Sequence, residues 1–290
     1  TAPSTILNSA SPLELGGGTL TITAKTSGTN TQAFNGTTLL AGSSRITAAG
    51  TTPTALTLNL GGITRNLGSG LDVPTTGMGT GAVLTTAAND ATGILGWATV
   101  NAGSGFATVS GGRIGGFSAY GAAYAAAANV DNAGLTTIGA SPVTINSLRF
   151  NSATTLSLNT GAGLTVTSGG ILMTPTVGAN FVTLTGGTVA AAPGQDLILH
   201  QWNTSPSGGL VIESRISGNG GLTKTGPGLV VLKNATNDFT GDVNISGGSA
   251  GTFRVAESGS LGASTNVVNL VSAGQFQIEQ GVTLDNPINV

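Results

Sequence analysis

The stretch that decides the fold reads GLTKTGPGLVVL and covers residues 221–232. It closes on a continuous apolar run, Leu229–Leu232, with glycines on its amino-terminal side. Other short segments alternate aliphatic side chains with Thr, Ser or Asn, as in TLTIT over residues 19–23 and TLSL over residues 155–158. An alternation with a period of two places one face of a strand in a core and the other in water. The sequence therefore predicts an all-β protein built from short strands.

These strands recur together with a glycine corner. The segment LELGGGTL at residues 13–20 is echoed by LTVTSGGI at 164–171 and by VTLTGGTV at 182–189. Paired glycines let the backbone take positive φ and turn sharply between strands. Such internal similarity indicates a solenoid of stacked parallel coils, with roughly 20–25 residues per coil and about a dozen coils. The copies that begin at Leu164 and Val182 are the clearest neighbours, and we interpret the interval between them as one coil.

The middle of the chain departs from this pattern. Between residues 66 and 134 the strand signal weakens and small residues dominate. The sequence thus predicts three parts: amino-terminal solenoid coils over 1–65, an irregular Gly/Ala-rich insertion or lobe over 66–134, and the main solenoid over 135–290. The lobe gathers five aromatic residues, which form either a small satellite core or a binding surface. These are Trp97, Phe106, Phe117, Tyr120 and Tyr124.

The stretch at 221–232 is also the start of a longer signature. It continues into NDFTGDVNI at 237–245 and SLG at 260–262. Together these segments resemble the autotransporter-associated β-strand repeat, found in passenger regions of large secreted and surface proteins of Gram-negative bacteria. Two departures are a small insertion at 249–251 and Asp242, which stands where a small residue is usual. The resemblance implies a right-handed parallel β-helix, export from the cell, and a scaffold or adhesive role.

Composition excludes several classes of function. Only 7% of the residues are charged, against about 25% in an average soluble domain, and the net charge is −2. The nine Lys and Arg residues are scattered, so there is no basic stripe for nucleic acid. No apolar run approaches the length of a membrane span. The 39% of hydrophobic residues suffice for a core, and the absence of Cys excludes disulfides and thiolate metal sites.

A search for catalytic chemistry finds little. The one histidine, His200, shares a strand face with Asp196, Ile198 and Trp202, and a lone histidine cannot build the common metal sites. The acidic residues are mostly isolated. The closest pair, Asp238 and Asp242, caps its own turn or, less favoured, binds Ca²⁺. The sequence therefore predicts no catalytic, cofactor-binding or metal-ligating residue.

These observations favour a non-enzymatic extracellular structural protein at the cell surface. Both ends of the chain are strand-like and lack a polar cap, so we expect end-to-end self-association into a fibre or the continuation of a longer solenoid. The first alternative is an adhesin whose lobe binds a glycan or protein on a host or neighbouring cell. A polysaccharide-active β-helix enzyme is less favoured because its bases are spread along the chain. These bases are Arg149, Arg215, Lys224, Lys233 and Arg254.

Overall fold

The protein is an all-β solenoid, as the strand pattern predicts. A computed structural model describes residues 6–25, 28–49, 55–248, 251–271 and 274–290. Parallel sheets stack into about ten turns. Within the described ranges the single helical element is a 3₁₀ turn at Pro175–Val177.

The first part of the chain forms an amino-terminal solenoid. Its strands are β1 (Leu13–Leu15), β2 (Gly18–Thr23), β3 (Thr29–Ala33), β4 (Thr37–Leu39), β5 (Gly42–Ala49), β6 (Ala55–Asn59), β7 (Ile63–Arg65), β8 (Ser69–Val73), β9 (Val83–Leu84), β10 (Leu95–Val100), β11 (Gly105–Ser110) and β12 (Arg113–Gly116). One sheet has the order β1-β4-β7, and the other has the order β2-β5-β8-β10-β11-β12-β9-β6-β3. The pairs up to β10 are parallel, whereas β10-β11, β11-β12 and β12-β9 are antiparallel. The β11–β12 hairpin thus joins two faces of the solenoid and covers edges that would otherwise stay open.

The rest of the chain forms a carboxy-terminal solenoid. Its strands are β13 (Asn129–Asn132), β14 (Val143–Ile145), β15 (Ser147–Phe150), β16 (Leu156–Asn159), β17 (Leu164–Val166), β18 (Gly170–Met173), β19 (Phe181–Thr185), β20 (Thr188–Ala191), β21 (Leu197–Gln201), β22 (Gly209–Ile212), β23 (Arg215–Ile216), β24 (Leu222–Thr225), β25 (Leu229–Leu232), β26 (Val243–Ile245), β27 (Thr252–Val255), β28 (Val268–Leu270), β29 (Gln275–Ile278) and β30 (Ile288–Asn289). Three parallel sheets have the orders β13-β15-β18-β21-β24-β26-β28-β30, β16-β19-β22-β25-β27-β29 and β14-β17-β20-β23.

The interval from Leu164 to Val182 is not one coil, so that prediction is wrong. Leu164 on β17 pairs with Val189 on β20, so one coil of this sheet runs from Leu164 to Val189. Val182 lies on β19, in a different sheet, and pairs with Leu156 and Leu210. The two similar segments therefore occupy different corners of successive coils, because a glycine pair can turn the chain at any corner.

Aliphatic ladders fill each solenoid. Leu148, Ile171 and Leu199 are stacked partners on β15, β18 and β21, and each is fully buried. Burying one such side chain contributes roughly 1.5–3 kcal/mol. In β17 and β19 the Thr residues that alternate with buried aliphatic ones are more exposed and lie on the outer face, as the period of two predicts.

The coils form two stacks that lie side by side. Ser43 on β5 donates its backbone N–H to Oγ of Ser246, which follows β26, at 2.5 Å. Gly96 on β10, two strands after β5, contacts His200 on β21, which lies two strands before β26 in its sheet. Successive coils of one solenoid therefore advance in the opposite direction to those of the other.

The segment predicted as a lobe contributes to both solenoids. Strand β8 pairs in parallel with β5, and β10 pairs in parallel with β8, so stacking continues past residue 65. The hairpin β11–β12 follows, and β13 opens the second solenoid at Asn129. The division of the chain at 65 and 134 stays a prediction.

Candidate functional site at the seam between the solenoids

The two solenoids meet along a surface that we call the seam, formed by the outer faces of β5, β8 and β10 and of β18, β21, β24 and β26. Strand β21 shows how one strand serves two surfaces. Leu197 and Leu199 point into the core of the carboxy-terminal solenoid, while His200 and Trp202 point into the seam. The sequence predicts that His200 and Trp202 share a strand face, but it does not predict that this face packs against the amino-terminal solenoid.

A buried ion pair joins the two solenoids. One terminal nitrogen of Arg65 lies 2.8 and 2.7 Å from the two carboxylate oxygens of Asp196, whose side chain is 1% exposed. The carboxylate also accepts hydrogen bonds from the Gly68 backbone N–H at 3.1 Å and from the Thr223 hydroxyl. Since every partner is in place, the desolvation of the two charges is offset by hydrogen bonds that fix how the solenoids align.

His200 lies fully buried beside this pair. Its Nε2 is 3.0 Å from the carbonyl oxygen of Gly96, and its Nδ1 is 2.8 Å from Oγ1 of Thr225. Because a carbonyl only accepts, Nε2 carries the hydrogen and Nδ1 accepts from the hydroxyl. Phe106 packs edge-on against the imidazole, with the ring centroids 5.8 Å apart. Burial lowers the pKa of His200 to about 4, so the ring is neutral at pH 7. Its two hydrogen bonds link β10 of one solenoid to β21 and β24 of the other.

The five aromatic residues of the predicted lobe pack against buried clusters. Phe106 is fully buried in the seam with Ile94, Leu172 and Trp202, and Phe117 and Tyr120 pack against the same cluster. Trp97 packs on the core of the amino-terminal solenoid and Tyr124 on that of the carboxy-terminal solenoid. Three of the five therefore share one small cluster, whereas Trp97 and Tyr124 belong to the two main cores.

Asp72 organises the loop after β10. Its Oδ1 accepts from the Thr99 hydroxyl at 2.8 Å and from the Gly103 backbone N–H at 3.1 Å, and its Oδ2 accepts from Ala102 N–H at 2.9 Å. Ala102 has a φ of 56°, a left-handed conformation that these bonds hold in place. Burial raises the pKa of Asp72 above its ordinary range. Gly103 must lack a side chain because a Cβ would lie 2.0 Å from Cγ of Trp202.

An open groove lies beside the seam, with a volume of about 330 Å³. We call it the seam groove; it is lined by Arg45, Ile46, Thr47, Ala48, Asp72, Pro74, Thr76, Gly77, Asn101 and Ala102. Arg45 is 42% exposed, and its Nε lies 3.4 Å from Oδ2 of Asp72. The Arg45 guanidinium also lies over the indole of Trp202, with Cζ 5.7 Å from the ring centroid. The groove therefore presents one accessible cation, the Arg45 guanidinium, which lies over the buried indole of Trp202.

Sequence reasoning missed this groove. One signal was available, because Arg45 is the single charged residue in the strand GSSRITAA at 42–49. A charge on an otherwise polar or aliphatic strand indicates a particular partner. That this partner is Asp72, on the neighbouring strand one coil further on, follows only from the register of β5 against β8.

The two members of the predicted acidic pair each form a contact with a neighbouring coil. Asp238 bonds Arg215 on the preceding coil, and Asp242 accepts the Val267 backbone N–H of the next coil at 3.0 Å. Neither caps its own turn, because parallel stacking brings a neighbouring corner within reach. Across the described ranges, no three His, Cys, Asp or Glu side chains gather as a metal site. Two of the three residues of the insertion predicted at 249–251, residues 249 and 250, lie outside the described residues.

The scattered bases do not converge either. Arg149 pairs with Asp131, Lys233 pairs with Glu213 at 3.0 Å, and Lys224 is buried inside the carboxy-terminal solenoid. Each base is therefore tied to a separate position along the solenoid.

A comparison with known proteins finds a relative among autotransporter adhesins. Over 97% of its length the chain is 30% identical to the protein named "Adhesin BmaC autotransporter" of Brucella suis biovar 1 (strain 1330). The chain resembles an autotransporter passenger segment. It spans 8% of the length of that adhesin, so the similarity concerns one part of a much larger autotransporter. No family model matches the segment, and no solved structure matches it significantly.

In the described part of the passenger-like segment, no helix has the length and apolar character that crossing a membrane requires.

Proposed function

We propose that this chain is an adhesive, non-enzymatic segment of an autotransporter passenger that is displayed on or secreted from the bacterial surface. The observation that carries the proposal is the similarity to an adhesin along 97% of the chain. That similarity extends through both solenoids and the seam, rather than through one repeat. The passenger-type β-solenoid, which provides long outer faces on a rigid frame, supports the same role.

The electrostatics support a binding role more than a catalytic one. A polysaccharide lyase needs acids and bases that converge on one sugar ring, but here the bases Arg149, Arg215 and Lys233 are each paired with a different acid. A direct assay tests this part: the purified chain is incubated with acidic polysaccharides, and new chain ends are measured. We expect no turnover, and cleavage that persists after rigorous purification would contradict the proposal.

Surface display tests adhesion. The 290-residue chain is fused to a display carrier in a non-adherent bacterium, and attachment to cultured animal cells and to bacterial cells is counted. We expect more attached bacteria than with the carrier alone at equal surface expression. Equal attachment by the two strains on every cell type would contradict the adhesive role.

Deleting residues 66–134 is a poor test of where the binding surface lies. That deletion removes β8 and β10, and with them the Gly96 carbonyl that His200 contacts. Loss of attachment would then reflect a disrupted seam. Point substitutions at exposed side chains give a cleaner result.

Self-association by end-to-end stacking stays a prediction. Parallel coils that repeat at about 4.8 Å carry unpaired backbone groups on any open edge, and such edges pair readily. Electron microscopy of the concentrated chain should then show filaments, and sedimentation should show growth with concentration. A monodisperse monomer throughout would contradict stacking without affecting the adhesive proposal.

A further inference from the structure

We propose that the seam groove binds a sugar ring that bears a carboxylate, and that Arg45 is the residue that recognises this carboxylate. The inference deepens the adhesive function proposed above and rests on it for its biological role. Its chemical basis is independent, since it depends on one half-exposed guanidinium and the walls around it.

Arg45 has unused hydrogen-bonding capacity. It lies directly opposite Asp72 in the register of β5 against β8, but the contact between them is a single Nε–Oδ2 approach of 3.4 Å. Nothing within the described ranges accepts a hydrogen bond from either terminal nitrogen of Arg45. A guanidinium with two free terminal nitrogens matches the geometry of a carboxylate, which accepts two parallel hydrogen bonds.

Asp72 approaches Arg45 only at Nε, and its two oxygens also hold the loop after β10. Oδ1 accepts hydrogen bonds from Thr99 and Gly103, Oδ2 accepts one from Ala102, and the side chain is 1% exposed. Its role is to hold the loop after β10. Arg45 and Asp72 are the charged side chains among the lining residues, so no second acid competes for the guanidinium within the groove.

Trp202 fixes the position of the cation. The indole lies 7% exposed beneath the guanidinium and is packed in the seam beside Gly103. Stacking on a rigid aromatic ring removes part of the side-chain freedom that Arg45 would otherwise lose on binding. The seam therefore supplies a preorganised anion contact.

The remaining walls suit a sugar better than a bare anion. Thr47 presents a hydroxyl that lies 2.9 Å from that of Thr21, and Thr76 is exposed at the rim. Hydroxyl groups both donate and accept, as the hydroxyls of a sugar ring require. The volume of about 330 Å³ lies at the small end of the range for ligand sites, roughly 300–1,000 Å³. One sugar residue fits this space, and its neighbours in a chain leave through the open side.

The test compares matched sugars on the purified 290-residue chain. Trigalacturonate is titrated against its methyl ester, and sialyllactose against lactose, with binding measured by calorimetry or by NMR. The first pair detects a uronate and the second a sialate. We expect at least one acidic sugar to bind more tightly than its uncharged partner, with an affinity that falls as salt rises.

Variants assign the contact to Arg45. Arg45→Gln should weaken binding of the acidic sugar by about tenfold to a hundredfold, because it removes a charge-assisted pair of hydrogen bonds. Arg45→Lys keeps the charge without the planar fork and should bind with intermediate affinity. Arg215→Gln is the matched control, since Arg215 is 44% exposed and lies on the other solenoid. It should bind like the wild type.

Two results would overturn the inference. One is equal binding of each acidic sugar and its uncharged partner; the other is unchanged affinity in a folded Arg45→Gln variant. The attachment assay separates this proposal from the adhesive function. Attachment without acidic-sugar binding would contradict the sugar site and leave the adhesive function in place. Acidic-sugar binding without attachment would contradict the adhesive function and leave the sugar site in place.

Discussion

At the scale of single residues, the most unusual position is Lys224. It stands in the interior ladder of the carboxy-terminal solenoid, between its register partners Leu199 and Ile245, and is 1% exposed. Its Nζ donates to the carbonyl oxygen of Gly226 at the following corner. Removing the ammonium from water penalises its charged form, and this burial lowers the pKa of Lys224 to about 7.

This buried amine should make stability depend on pH. Between about pH 7 and its ordinary pKa of 10.5, the unfolded chain binds a proton that the folded chain has lost. The free energy of unfolding should therefore rise with pH across this window, by at most about 1.4 kcal/mol per unit. Lys224→Met should flatten the profile and be more stable than the wild type near neutral pH. Urea unfolding at a series of pH values measures this.

The control is Lys233→Met, at the residue that directly follows β25. Lys233 is 52% exposed and pairs with Glu213, so its removal should leave the slope between about pH 7 and pH 10 unchanged. A Lys224→Met profile that parallels the wild type would show that this lysine is not what makes stability rise with pH.

At the scale of elements, the glycine corners determine how closely coils can stack. Gly226 turns the chain between β24 and β25 with a φ of 76°, and a Cβ there would lie 2.4 Å from the carbonyl oxygen of Gln201. Gly194 has the same φ of 76° but nothing within 4 Å of its added Cβ. Comparing alanine substitutions at these two glycines therefore separates the cost of backbone strain from the cost of a clash between coils.

Gly226→Ala should destabilise the chain more than Gly194→Ala. Both variants force alanine into the left-handed region, at a cost of about 1–2 kcal/mol. Only the first also pushes two coils apart, which should add roughly 1–3 kcal/mol. Thermal or urea unfolding of both variants gives the difference directly. Equal losses would mean that the corner yields and that coil contact at Gly226 contributes little.

Sequence patterns predict these elements well but not their assignment to faces. The strands at Leu164, Val182 and Leu229 are confirmed, and so is their parallel stacking. A glycine pair marks a corner, yet it carries no information on which corner of the coil it forms. Gly169-Gly170 leads into the sheet of β18, whereas Gly186-Gly187 leads into the sheet of β20. The spacing between similar segments therefore did not give the coil length.

At the scale of the whole molecule, the arrangement depends on contacts that no local pattern contains. The sequence places Asp196, His200 and Trp202 on one strand face. Their partners, Arg65 and Gly96, come from the amino-terminal solenoid, far earlier in the chain. The chain reverses after the β11–β12 hairpin, and only this reversal brings the two outer faces together. The seam and its groove thus follow from tertiary structure.

The seam should loosen in acid because of His200. Its folded pKa of about 4 lies below the ordinary value of 6.5. The cause is burial first, with Arg65 also lowering the pKa and the Gly96 carbonyl and Asp196 raising it. Between these two pH values an opened seam binds the extra proton, so the stability that the neutral ring supplies is present above about pH 6.5 and is lost as the pH falls toward 4.

Hydrogen exchange followed by mass spectrometry measures this opening. After correction for intrinsic rates, amides of β10 and β21 should exchange faster at about pH 5 than at about pH 7, by up to roughly tenfold per pH unit. Those of β25, which lies on another sheet, should change less. His200→Gln keeps a donor for Gly96 and an acceptor for Thr225 but does not titrate, so its seam should lose this acceleration. If the variant shows the same acceleration, protonation of His200 does not cause the opening, because the variant has no imidazole to protonate. The pH sensitivity would then come from another group.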